Sequence, residues 1–197
     1  QPRSGHPVRE TAEVLRLRWS RVVLAVVFLE GVVLFGPMAF MATHLHLTFG
    51  MSLARAGSIV MLFAAGGLAF VMGSAPLVRR LGESGLAAGG GALMALALVV
   101  VAASPLWWTA PLAAVLLGAG FYMLHTTLQI NATQMAPHAR GAAVSLFASA
   151  LFLGQTAGVF VVSLLIGTTG TALVLAVGGA CLLALGLLFA RLRRGHG

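Results

Sequence analysis

The sequence predicts an all-α membrane protein of six transmembrane helices, and three observations carry that prediction. Of its 197 residues, 59% are hydrophobic and only 8% charged, whereas soluble domains are about a quarter charged. Apolar runs of about 20 residues recur from one end to the other, each long enough at about 1.5 Å per residue to cross a hydrocarbon layer about 30 Å thick. The 12 basic residues, all Arg, lie at or between the ends of these runs. Together they exclude a soluble globular domain. A net charge of +8 and an isoelectric point near 11.9 do not indicate nucleic acid as a partner, because the arginines form no single soluble face.

Residues 1 to 20, QPRSGHPVRETAEVLRLRWS, are polar and Arg-rich and read as a cytoplasmic basic linker. They lack the early apolar core and cleavage site of a signal peptide. Gln1 in first position suggests a piece of a longer protein, or a trimmed one. A six-helix bundle is expected over 21 to 191, with spans at about 21 to 43, 54 to 76, 84 to 104, 108 to 132, 141 to 166 and 170 to 191. Residues 192 to 197 form a cytoplasmic tail. Gly36-Pro37 predicts a kink in the first span, since proline removes a backbone donor and crowds the preceding turn. The 25 glycines, among them Gly66-Gly67, Gly89 to Gly91, Gly154 with Gly158, and Gly178-Gly179, let helices approach closely where lipid supplies no hydrophobic drive.

With the spans alternating, Arg55 alone falls on one side and every other Arg on the side of the termini. By the positive-inside rule both termini are cytoplasmic, and Trp19, Trp107 and Trp108 fall at interface depth. A multi-pass protein of the cell's inner membrane is the implied location. Three spans run in to out and three out to in, the layout of a 3+3 inverted repeat. No convincing identity links the two triplets, so the repeat is a topological expectation.

The first span carries VVFLEGVVLF, with Glu30 nine residues past Arg21, about 13 Å along the helix and near mid-depth. A carboxyl group costs on the order of 3 kcal/mol there, so it should face the bundle interior or a wet cavity. Either it is a protonatable or cation-binding switch, or it is a neutral hydrogen-bonded strut. Since no Lys or Arg lies within a span core, its partner should be a neutral polar group, a histidine, a substrate or another chain. In the fourth span Tyr122, His125 or Thr126, Gln129 and Thr133 recur at three- and four-residue spacing and form one polar stripe. Imidazole exchanges protons near neutral pH and can share one with a carboxylate, although a histidine bonded to a neighbouring helix fits equally well. In the fifth span Ser145, Ser149, Phe152 and Thr156 share a face with Gln155 beside it. They are candidate cavity lining or plain packing residues.

His44 and His46 form an HxH that lacks a nearby Cys, Asp or Glu, so they read as interfacial histidines and not as a metal centre. Cys181, the single cysteine, excludes an intrachain disulfide. No cofactor is expected. An enzyme is disfavoured: HExxH is absent, and nothing local supports a dyad of Ser58 with His125.

Two polar segments resemble a known family. PLVRRLGESGL, Pro76 to Leu86, is similar to the Gly-x-x-x-Asp-Arg-x-Gly-Arg loop of the major facilitator superfamily. Arg80 and Gly82 match, while Ala75, Arg79 and Glu83 depart from it. APHARGAAVSLF, Ala136 to Phe147, looks like the Pro-x-x-Arg-Gly segment opening the eleventh helix of drug- and sugar-efflux members, matched by Pro137, Arg140 and Gly141. The resemblance covers essentially the whole chain as a carboxy-terminal six-helix half. It implies alternating-access efflux of a small organic solute by proton antiport, with an amino-terminal half supplied upstream or by a second copy, in a lipid bilayer. Glu30 would couple protons, Tyr122, His125, Thr126, Gln129 and Gln155 would line the cavity, and Arg79, Arg80, Gly82, Arg140 and Gly141 would belong to gating loops. A non-transporting scaffold half is the alternative.

Overall fold

The computed structural model describes residues 7–195, all helix and short connections. α1, Pro7–Arg16, carries an exposed i,i+4 pair, Arg9 to Glu13 at 3.5 Å, and buries Val14. The chain turns at Leu17, whose extended backbone (φ −72°, ψ 127°) separates α1 from α2. α2 spans Arg18–Phe49 and ends on Gly50, whose φ of 65° provides the left-handed stop that L side chains resist. α3 is Leu53–Ala103, opened by Ser52, whose side chain accepts from the Arg55 N–H at 3.3 Å. α4 is Thr109–Gln134, and a 3-10 turn, Pro137–Ala139, leads to α5, Arg140–Thr169. Gly170 (φ 76°) separates α5 from α6, Thr171–Arg194. Among the described residues, helices α2 to α6 are the five that are long and apolar enough to cross a membrane.

α3 has 51 residues, about 76 Å if straight and more than twice a hydrocarbon layer. It folds back on itself. In its first arm Phe63 meets Gly118 and Gly67 meets Tyr122, so that arm runs parallel to α4. In its second arm Gly90 meets Leu124, and Leu96 and Val100 share a cavity wall with Leu112 and Leu116, so that arm runs antiparallel to α4. The reversal is made at Gly82 (φ 61°, ψ 178°), in the region that favours glycine. Phe70, Leu86 and Met123 pack together between the arms. The expected loop over 77 to 83 is therefore helical except at one residue; no run of turn formers is needed when a single glycine supplies the break.

α5 runs parallel to α2, with Gly154 on Phe28 and Gly158 on Val32, and α6 runs antiparallel to it, with Trp19 stacked on Phe189 and Gly178 on Pro37. One end of the bundle thus gathers Trp19, Glu83 and Arg193, and the other gathers His44, Val101 and Thr171. α5 is the least enclosed helix: Phe152, Leu153, Phe160 and Leu164 are each more than 60% exposed. That face must meet lipid or another protein surface.

Candidate functional site

Glu30 stands 12 residues into α2, about 18 Å from its start at Arg18. The next five residues, Gly31–Phe35, form a π turn, and Pro37 follows. Proline clashes with the carbonyl four residues back, and a widened turn relieves that crowding. The expected kink at Gly36-Pro37 thus takes the form of a π turn directly behind the carboxyl group.

Close packing against α5 fixes this segment. A Cβ on Gly31 would come within 2.5 Å of the Leu151 carbonyl oxygen, and one on Gly36 within 2.8 Å of that of Gly158. Only glycine permits the contact. From α5, Gly154 and Gly158 press on the Phe28 and Val32 backbone in return, so four glycines clamp the two helices on either side of Glu30.

The Glu30 side chain is fully buried, and its Oε2 lies 2.8 Å from Nδ1 of His125 on α4. Nδ1–H donates when Glu30 is ionised, whereas a protonated Glu30 donates to Nδ1. Among the described residues Oε1 has no hydrogen-bond partner, and leaving a buried polar atom so is costly. The imidazole lies nearly parallel to the Phe121 ring (centroids 4.7 Å apart, 21°) and is flanked by Phe147 from α5 at 5.2 Å. Two packed rings, one stacked and one tilted, hold its orientation. His125 is itself 16% exposed, so the pair runs from a sealed carboxyl oxygen to an imidazole that reaches accessible space.

The other expected site residues divide. Tyr122 sits edge-on to Phe121 at 5.4 Å with its ring over Gly67, and Thr126 is half-buried beside His125 in sequence. Gln129 is exposed, and Thr133 bonds the Ile130 carbonyl. The stripe is thus continuous in spacing, but His125 is its member that bonds Glu30. The Gln155 backbone rests on Gly31, while its side chain lines an open groove on α5 with Thr156 and Ser163. Arg79, Arg80, Arg140 and Gly141 are exposed at the Arg-rich end.

His44 is packed inside the bundle near one of its ends. It is 3% exposed, with Nδ1 2.8 Å from Thr171 Oγ1 and Nε2 3.0 Å from the Val101 carbonyl, tying α2 to α6 and α3. Buried imidazole requires such partners. His46 Nδ1 lies 2.6 Å from the Met51 carbonyl, so the two rings point to separate partners. No cluster of three potential metal ligands occurs among the described residues.

A second polar cluster escaped sequence reasoning. Glu83 Oε2, just past the Gly82 reversal, accepts from Arg193 Nε at 2.7 Å and Asn131 Nδ2 at 2.9 Å, and Asn131 also donates to the Thr127 carbonyl. Partial burial opposes ionisation of Glu83, but the bonds from Arg193 and Asn131 outweigh it and hold the carboxyl below the usual carboxylate range. These residues come from α3, α4 and α6, and no spacing signal pairs positions 110 residues apart.

Comparison with family models, with curated proteins and with solved structures returns no match.

Proposed function

We propose that this chain is one half of a secondary transporter whose Glu30–His125 pair exchanges protons during solute efflux. The observation that carries the reading is the fully buried Glu30 carboxyl, bonded at one oxygen to His125 and unpartnered at the other. Intramembrane ionisable groups so placed mark proton or ion pathways by default. His125 relays the proton between Glu30 and accessible space, and the π turn gives α2 a point at which to flex. Coupling requires that solute and proton favour different states of the bundle.

The finer architecture belongs to the same proposal. Counting the two arms of α3 separately gives six crossings, with both termini and the Arg-rich end cytoplasmic by the positive-inside rule. The motif resemblance argues for a major facilitator half in the inner membrane. Its second half would seat on the exposed face that includes α5, and small organic solutes would pass between the halves.

The test is transport into proteoliposomes holding the complete transporter, with and without an imposed pH gradient, using a panel of labelled organic solutes. Gradient-driven accumulation is expected from the native sequence and should fall at least tenfold in Glu30→Gln, while downhill exchange persists. Retained uphill accumulation in that variant would reduce Glu30 to a strut.

A further inference from the structure

At the Arg-rich end, the start of α2 and the ends of α4 and α6 enclose a cavity of about 580 Å³. Arg18 and Arg193 are its charged lining residues, Gln134 adds an amide, and Leu17, Trp19 and Met135 form an apolar wall. Among the described residues no acidic side chain lines it, while Glu83 lies behind its wall, bonded to the lining residues Asn131 and Arg193. Glu83 engages Arg193 only through Nε, which leaves the two terminal nitrogens of that guanidinium for another acceptor. Arg18 is exposed and makes no ion pair among the described residues. Two arginines lining one cavity favour a phosphate, for which their forked donors are suited.

Two features indicate where that phosphate comes from. Trp19, stacked on Phe189, is the kind of side chain that settles at headgroup depth. Leu17 beside it is 44% exposed, an apolar rim next to the cationic donors. An amphipathic opening of this kind suits a lipid, whose phosphate enters the cavity while its glycerol and chains follow the wall. Basic pockets between membrane helices are a recognised form of headgroup site.

We infer that the cavity bounded by Arg18, Gln134 and Arg193 binds the phosphate of an anionic phospholipid. Because Arg193 also holds Glu83, an occupied site ties α2 to the cluster that braces the Gly82 reversal. The inference is independent of what the bundle transports.

The test is a thermal melt of the purified full chain in neutral detergent, titrated with phosphatidylglycerol, phosphatidylcholine or inorganic phosphate. Phosphatidylglycerol should raise the melting temperature saturably, and phosphatidylcholine should not. In Arg18→Gln the apparent affinity should fall about five-fold, with unchanged helix content by circular dichroism, while Arg194→Gln, exposed and outside the cavity, should match the native chain. Gln134→Leu should weaken binding in the same direction and serves if Arg18→Gln fails to fold. Equal protection by inorganic phosphate would overturn the lipid assignment in favour of a soluble phosphate ester. Equal weakening by Arg18→Gln and Arg194→Gln, or none by Arg18→Gln and Gln134→Leu, would overturn the site itself.

Discussion

Glu30 and Glu83 are the same side chain in opposite settings. Glu83 lies at the Arg-rich end, 30% exposed, and its bonded oxygen receives two donors, one of them a guanidinium that never gives up its proton. Glu30 is fully buried, has a single partner that can gain or lose a proton, and leaves one oxygen bare. The first arrangement fixes one charge state and so makes a clamp. The second is a bond in which either side chain can be the donor, with no fixed positive charge to hold the carboxyl ionised.

The largest expected effect breaks the comparison at the helix contact that seals Glu30. In Gly154→Leu the added side chain would land on the Phe28 carbonyl and force α2 from α5. Overpacking of this kind costs about 3 kcal/mol, so detergent melts should show a large loss of stability or no folded protein. Gly141→Leu, where a Cβ meets nothing, should fold normally. A similar loss in both would mean that the contact is not tight.

A middle-sized effect separates the buried pair from the clamp. His125→Leu leaves both Glu30 oxygens without partners and should cost about 2 kcal/mol. Adding Glu30→Met should recover most of it, because an apolar pair is often as stable as a buried polar one. The corresponding cycle at Glu83 and Arg193 should show weaker coupling, since water replaces the lost partner. Additive mutations at Glu30 and His125 would show that their hydrogen bond contributes nothing.

The smallest effect is the clamp itself, read through pH. Glu83→Gln should cost about 1 kcal/mol at neutral pH. Because the native carboxyl titrates below its unfolded value, its stabilisation is present above that ordinary carboxylate value and is lost as pH falls through the folded one. The melting difference between native and Glu83→Gln should therefore shrink below about pH 4. A difference that stays constant into acid would show that Glu83 acts by shape and not by charge.

Much of the scaffold was legible in the residues. Apolar runs of membrane length, arginines at their ends and Gly36-Pro37 within the first run predicted helices, alternation and a break, since lipid forces backbone groups to bond within their own helix. Glu30 was legible too, because a carboxyl group at that depth has few explanations, and His125 could be put forward by its chemistry as a candidate partner. The reversal expected over 77 to 83 does fall there, at Gly82, but composition does not reveal that the residues around it stay helical. The burial of His44 was not legible, because its partners Thr171 and Val101 lie on other helices.

By itself, then, the sequence determined where the long apolar helices lie and that one acid must lie deep, both of which follow from local hydropathy and from the cost of burying charge. Only the tertiary structure decided the pairings: Glu30 with His125, Glu83 with Arg193 and Asn131, and Arg18 across a cavity from Arg193. Each joins residues from different helices, and their meeting depends on the rotation and depth at which glycine contacts lock those helices together. Hydropathy along one helix does not say which other helix it will meet.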